Sequence, residues 1–370
     1  MNASRHLGPG SYRVRRSSFG TRASMICGLY IPIAKIVNYA DCDGSSVKVG
    51  VIGTGSMGKN HVRVLSEMEE LAGVCDSSKE IGETVAARFK TAYFSNIDEL
   101  IDSGVEAVSI VTPTADHYEN ARKAIEARVH TLLEKPATGS VDKLKELSHL
   151  AEKKGVVLAV GLIERHNPVV EFAASSLRSG SFGSLISVHA RRVSSFPSRI
   201  RDVGVIMDLG VHDIDVIRYL VNSPATRVYA VSGKTKHPEF EDHANIVIEF
   251  ENGVTGVIEV NWLTPMKVRM MSMTCIDRFV ELDYVTQSVQ VSYSELQEMD
   301  PEDLFHLGVE FHGKRITLKR EEPLKRELAD FIEAIDSGSG PLVTGFDAAK
   351  TLEIAHGSMI SAAENRVVEL

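Results

Sequence analysis

The sequence predicts an α/β protein: a doubly wound parallel sheet in the N-terminal part, followed by an α+β region built on a large, mostly antiparallel open sheet. Three observations predict it. From Val47 to about Leu162, short continuous apolar runs alternate with helical patterns, as parallel strands covered on both faces require. A glycine-rich turn, Gly53-x-Gly55-x-x-Gly58, joins the first apolar run to the first helix. After Glu164 the texture changes to period-2 strands, which suit a sheet with one face packed and one open.

In the first part, strands are expected at 48–52, 71–75, 92–94, 107–111, 130–133 and 156–160, with helices at 59–66, 78–89, 97–103, 117–127 and 141–154. In the second, strands are expected at 186–193, 228–233, 244–250, 254–262, 268–275, 279–284 and 288–292. Asn252-Gly253 between two of these signals a hairpin. Helices at 168–179, 207–221, 323–337 and 346–365 are expected to flank the second sheet. The domains read as 47–164 and 165–370. An open sheet of this breadth exposes apolar rows, so a homodimer or homotetramer through it is expected.

Residues 1–46 are Arg-, Ser- and Gly-rich and carry a net charge of +4, whereas the rest of the chain carries −13. They read as a poorly ordered extension, or as a start placed too early with Met25 as the alternative; a targeting signal fits less well, because Pro32 and Lys35 interrupt the apolar patch. The overall charge of −9 argues against general affinity for nucleic acid. No run of 18 apolar residues exists, so no membrane span is expected. Cys27, Cys42, Cys75 and Cys275 show no metal spacing, and scattered thiols suit a reducing cytoplasm.

The glycine turn carries the strongest chemical signal. The first glycine makes the tight turn, the second admits a pyrophosphate to the backbone, and the third lets helix and strand pack closely. The helix expected from Lys59, with Ser56 and Met57 in the turn before it, offers unpaired N–H groups and a positive dipole end to phosphate. The second strand ends in Asp76, where a Rossmann dinucleotide fold places an acid on the adenosine ribose. A carboxylate there repels a 2′-phosphate, so the expected cofactor is NAD; the plain alternative is a solvated turn aspartate.

Ligands of such sheets bind beyond the carboxyl ends of the strands. The fourth strand ends in Thr112-Pro113-Thr114-x-Asp116-His117, which can line the nicotinamide side or simply cap a helix. The fifth ends in Glu134-Lys135-Pro136. Lys135 there can hold a substrate oxygen and steady its charge, while Glu134 can instead make a surface ion pair. A third group, Asp208, His212, Asp215 and Tyr219, falls on one face of the expected 207–221 helix. Asp208 lies four residues before His212 and can orient it as a proton acceptor. A divalent metal on Asp208, His212 and Asp215, or a solvated helix face, are the competing readings.

These motifs together resemble the Gfo/Idh/MocA family of sugar oxidoreductases over residues 47–370. The marks are Gly53–Gly58, Glu134-Lys135-Pro136, Asp208-x-x-x-His212 and Glu322-Pro-Leu-Lys-Arg-Glu327-Leu328. Segments 161–168, 190–193, 199–204, 241–244 and 260–265 add to the likeness. The resemblance implies NAD-dependent oxidation of a secondary sugar hydroxyl. The substrate it implies first is UDP-N-acetylglucosamine, oxidised to its 3-keto derivative; another polyol or hexose such as myo-inositol comes next, and a non-catalytic nucleotide sensor last. It implies that Gly53, Gly55, Ser56, Met57 and Gly58 hold the pyrophosphate and Asp76 the ribose. Thr112, Pro113, Thr114 and His117 would line the cofactor cleft, and Glu134 and Lys135 would meet the nicotinamide ribose and the sugar. Lys135, Asp208 and His212 would be catalytic, with no metal, and Arg165, Asn167 and Arg201 would approach the substrate. Arg191, Arg192, Arg199 or Arg201 would grip a pyrophosphate or else pair with acids. His166 departs from the family pattern, standing where such sequences usually show phenylalanine.

Overall fold

The computed structural model describes residues 47–197, 203–296 and 309–370; the expected extension at 1–46 lies outside them, and the described residues fall in one compact unit. The N-terminal part alternates β1 (Val49–Ile52), α1 (Ser56–Glu67), β2 (Leu71–Cys75), α2 (Lys79–Phe89), β3 (Ala92–Phe94), α3 (Ile97–Asp102), β4 (Ala107–Ile110), α4 (Thr114–Glu126), β5 (His130–Glu134), α5 (Val141–Lys154) and β6 (Leu158–Gly161). The six strands are parallel, in the order β3-β2-β1-β4-β5-β6. The order reverses beside β1, so its carboxyl end and that of β4 flank the crevice where such sheets bind ligands. β1 and β4 are buried along their whole length, which is why they read as unbroken apolar runs.

A short 3₁₀ turn (Ile163–His166) leads into α6 (Pro168–Arg178), β7 (Leu185–Val193), a π turn (Ile206–Gly210) and α7 (Val211–Val221). Then follow β8 (Ala225–Gly233), β9 (His243–Phe250), β10 (Thr255–Asn261), β11 (Val268–Cys275), β12 (Arg278–Asp283), β13 (Ser288–Leu296), β14 (Val309–Thr317), α8 (Pro323–Ser337), α9 (Gly345–Glu364) and β15 (Val368–Glu369). The second sheet runs β14-β13-β12-β11-β7-β10-β9-β8-β15, antiparallel except for the β7–β10 pair. Gly253 adopts a left-handed φ of 82° in the β9–β10 hairpin, as its Asn-Gly signal required. One face buries Val228, Ala230, Ile246, Ile248, Ile258 and Met271 in the core under α6, α7 and α9. The opposite face exposes Tyr229, Val231, Val247, Met270 and Phe279.

Two features depart from the expected layout. β14 and β15 were not anticipated: β14 is polar along most of its length and β15 is two residues long, so neither carries a hydrophobic period. The C-terminal helices also do not simply flank the second sheet. Leu324, Leu328 and Phe331 of α8 pack with Val49, Val51 and Val62. Ala348 and Ala349 of α9 pack with Leu144, Leu147 and Val160, while Leu352, Ile354 and Ala355 of the same helix enter the core of the second sheet. The chain's end thus returns to both faces of the first sheet, which joins the two halves through shared apolar surface.

Candidate active site

The glycine turn at the end of β1 is tight where phosphate chemistry needs it to be. Gly53 has φ +92°, and a Cβ there would lie 2.7 Å from Val111 O. A Cβ at Gly58 would meet Gly53 O at 1.9 Å, whereas one at Gly55 would meet nothing within 4 Å. Gly55 therefore faces open space at the N-terminus of α1, and no side chain caps that helix end. Its first-turn N–H groups are available to an anion.

Asp76, at the end of β2, accepts from Thr54 N (2.7 Å), Thr54 Oγ1 (2.6 Å) and Ser78 N (2.8 Å). Burial opposes its charge, but these bonds and Lys59 outweigh burial and lower the carboxyl below its ordinary range. Asp76 is thus a fixed anion bound to the glycine loop, not a solvated turn residue.

Beyond β4, Thr112 Oγ1 is buried without a partner. Pro113 precedes α4, which starts at Thr114. His117 is 1% exposed. Its Nε2 lies 2.8 Å from Thr112 O and its Nδ1 2.9 Å from Pro136 O. The imidazole therefore braces the ends of β4 and β5 against each other instead of lining the cleft as expected; two nearby backbone carbonyls outbid the open crevice. Glu134 turns inward in the same way. It is buried, with Oε1 3.1 Å from His61 Nε2 and Oε2 accepting from Lys135 N at 2.9 Å, so it neither forms a surface ion pair nor points outward. His61 continues the set inward to Ser109 Oγ at 2.9 Å.

Lys135 crosses from the first half to the second. Its Nζ donates to Asp208 Oδ1 and to Asp208 O, both at 2.9 Å. Asp208 sits in the π turn, whose wider pitch breaks the four-residue repeat, and its carboxylate goes to Lys135 with no hydrogen bond to His212. That corrects the expected direct Asp208–His212 couple. His212 is 8% exposed and its Nδ1 is buried without a partner. Burial, then the charges of Lys135, Arg192 and Arg269, push its pKa well below 6.5, so it is a neutral imidazole. The expected solvated face of the 207–221 helix does not form, since His212 and Asp215 are as buried as the apolar residues around them and Asp208 and Tyr219 are half-buried. Asp215 is taken by Arg165 (2.8 and 2.6 Å) and Thr351 (3.0 Å), so Asp208, His212 and Asp215 do not converge as one metal set.

Arg165 and Asn167 also turn inward in this structure. Arg165 is 4% exposed, pairs with Asp215, and donates to Leu342 O. Asn167 accepts from Val169 N to cap α6 and donates to Glu164 and Tyr284 O. Both hold the interior together; a 3₁₀ turn gives no period from which sequence could tell inward from outward. Arg192 is 2% exposed and closed off by Asp213 (2.8 and 3.0 Å) and Glu164 (2.7 Å). Arg191 lies on the open face with Glu259 at 3.0 Å. Arg199 and Arg201 lie outside the described residues. Missed instead were Lys267 and Arg269. Arg269 donates to Glu164 at 3.3 Å. Its charge, then burial, lowers the pKa of Lys267. Their alternation with apolar residues at the start of β11 is visible in the sequence, but not which residues they face.

A glycine cradle at a helix N-terminus, a fixed acid on the second strand and a lysine–carboxylate pair beside a neutral imidazole define a dinucleotide-binding oxidoreductase. Residues 47–162 match the oxidoreductase family's NAD-binding Rossmann fold, and residues 170–275 match its C-terminal domain. The chain belongs to the Gfo/Idh/MocA family. It is 30% identical to UDP-N-acetylglucosamine 3-dehydrogenase of Acidithiobacillus ferrooxidans over 78% of this chain and 88% of that protein. A solved structure of that enzyme superposes with a TM-score of 0.77 at 29% identity, over 86% of this chain and 97% of the other. The scyllo-inositol 2-dehydrogenase (NAD(+)) of Bacillus subtilis is 26% identical over 88% of this chain and 96% of its own. GenD2 from gentamicin A biosynthesis, solved in complex with NAD, superposes at 0.74 with 25% identity, over 88% of this chain and 98% of that one. The chain is an NAD-binding oxidoreductase, and its residues fit the cofactor: the open cradle at Gly55 suits a pyrophosphate, and the orphaned Thr112 Oγ1 offers a polar contact at the crevice.

Proposed function

We propose that this protein oxidises a secondary hydroxyl of a sugar nucleotide, UDP-N-acetylglucosamine, to the 3-keto derivative. The observation that carries the reading is the Lys135–Asp208 contact of 2.9 Å, which brings the two halves of the chain together beside a neutral, partly unpartnered His212. Gly53, Gly55, Ser56, Met57 and Gly58 hold the pyrophosphate of NAD, and Thr112, Pro113 and Thr114 border its crevice. Asp76, kept ionised by Thr54 and Ser78, takes the ribose and rejects a 2′-phosphate. NAD, when bound, supplies the hydride acceptor.

His212 takes the hydroxyl proton. A base must be neutral to act, and the surroundings of His212 keep it so. Lys135 holds the same oxygen and stabilises its growing charge. Asp208 fixes the ammonium in place through two acceptor atoms. Arg269, near Asp208 and His212, and Lys267 beside Arg269 supply positive charge for the pyrophosphate of a sugar nucleotide, a use that also fits the similarity to the Acidithiobacillus enzyme.

The exposed apolar row of Tyr229, Val231, Val247, Met270 and Phe279 supports a homodimer or homotetramer through the open sheet. No helix among the described residues is long and apolar enough to cross a membrane, and the buried free thiols Cys75 and Cys275 suit the cytoplasm. The test is a substrate panel with NAD, read by NADH absorbance. UDP-N-acetylglucosamine should be turned over best, and its product should have lost a pair of hydrogens by mass. Preference for myo-inositol or a free hexose would move the chain to a sister activity. Tight NAD binding with no turnover of any sugar would make it a sensor.

A further inference from the structure

Glu327, in the Glu-Pro-Leu-Lys-Arg-Glu-Leu segment that opens α8, has no part in the chemistry above, yet it is one of the most enclosed carboxyls among the described residues. It is 2% exposed, and neither carboxylate oxygen has a hydrogen-bond partner. One side-chain atom each of His61, Glu134 and Glu327 lie within 4.8 Å of one another, all buried. α8 thus inserts an acid against a carboxylate that is already bonded to His61 and to the backbone N–H of Lys135.

Charge counting decides what this acid must be. Two ionised carboxylates at this separation in a dry interior repel strongly, and such pairs commonly share a proton. The groups around them do not relieve the repulsion. Lys135 is committed to Asp208, and Asp330 on the same helix adds another acid. On the 3₁₀ turn packed against α8, Glu164 and Arg165 are closed off by Arg192 and Asp215, and His166 is held neutral by burial. His61 can supply at most one positive charge. We propose that Glu327 is a protonated carboxylic acid sharing its proton with Glu134, so that His61, Glu134 and Glu327 clamp the strand end from which Lys135 projects. Glu327 is then a positioning residue: its proton fixes the Glu134 carboxylate, whose other oxygen receives the Lys135 N–H. Burial, then the charges of Glu134 and Asp330, raise Glu327 well above the carboxylate range. For Glu134, burial acts upward too, but the His61 and Lys135 interactions outweigh it and lower the pKa. The two environments push the pair apart as a shared proton requires.

The clamp rests on the proposed role of Lys135; the proton does not, so the test has two readouts. Infrared spectra of the intact protein near pH 8 should show the carbonyl stretch of a buried protonated carboxylic acid, and Glu327→Gln should lack it. Glu327→Leu should lower kcat about tenfold or more with the KM for NAD little changed, and Glu327→Gln, whose amide can still donate, should recover most of that loss. A band unchanged in Glu327→Gln would overturn the proton, and a stoichiometric divalent metal in the purified protein would replace it with a metal site. Full activity in Glu327→Leu would overturn the clamp. Absence of activity on any sugar would overturn the proposed function while the infrared result still stood.

Discussion

His166 makes the most quantitative prediction, because it is a titratable group in a place that cannot hold its charge. It is 5% exposed, and burial, then the charges of Arg326 and Arg165, push its pKa down to about 3. In the unfolded chain the same imidazole titrates near 6.5. Between these values the unfolded state binds the extra proton, so stability rises with pH. His166 therefore costs nothing above about pH 7 and destabilises by about 1.4 kcal/mol for each pH unit below about 6.5. At pH 5 the cost reaches about 2 kcal/mol. His166→Phe removes the group and fills the site with an apolar ring. Any packing penalty of the larger ring does not depend on pH, and His212, His130 and His356, also shifted downward, are common to both proteins and cancel. Urea unfolding of both proteins at pH 8, 6.5 and 5 gives the stability difference at each pH. The variant should gain about 2 kcal/mol on wild type between pH 8 and pH 5. A difference that stays flat across this range would show that His166 reaches solvent or a partner and carries no such penalty.

Further outcomes follow from the same interior. Arg165→Ala should destabilise by about 3 kcal/mol, seen as a large fall in Tm, because the buried Asp215 loses its bidentate partner and keeps only Thr351 and Arg218, the latter at 3.9 Å; a stable variant with only a raised sugar KM would return Arg165 to the substrate. Asp76→Ser should weaken NAD and improve NADP relative to it by about tenfold or more, measured by titration with each nucleotide. Exhaustive chelation should leave turnover unchanged, and a loss restored by one added divalent ion would bring metal chemistry back.

The elements that bury two faces were legible because each imposes a short apolar run or a strict period. The glycine turn, Asp76 and the Lys135 strand end were visible for a related reason: their chemistry depends on backbone geometry that only particular residues allow. What the sequence hid was direction. His117, Glu134, Arg165 and Asn167 are polar residues near strand ends, and each turns inward because a carbonyl or an opposite charge, remote in sequence, awaits it there. A four-residue spacing on a regular helix would bring Asp208 to His212, and the π turn removes that regularity. His61, Glu327 and Arg269 were passed over because their partners lie dozens to hundreds of residues away. Only the packing of α8 on the first sheet brings Glu327 to Glu134.

In the proposed site Lys135, held by Asp208, meets His212 at one reacting carbon. The direct test is the rate of NADH formation on rapid mixing of NAD-loaded Lys135→Met with UDP-N-acetylglucosamine, beside wild type. The account predicts a loss of about 10²-fold or more with NAD binding intact. A wild-type rate in the variant would contradict it.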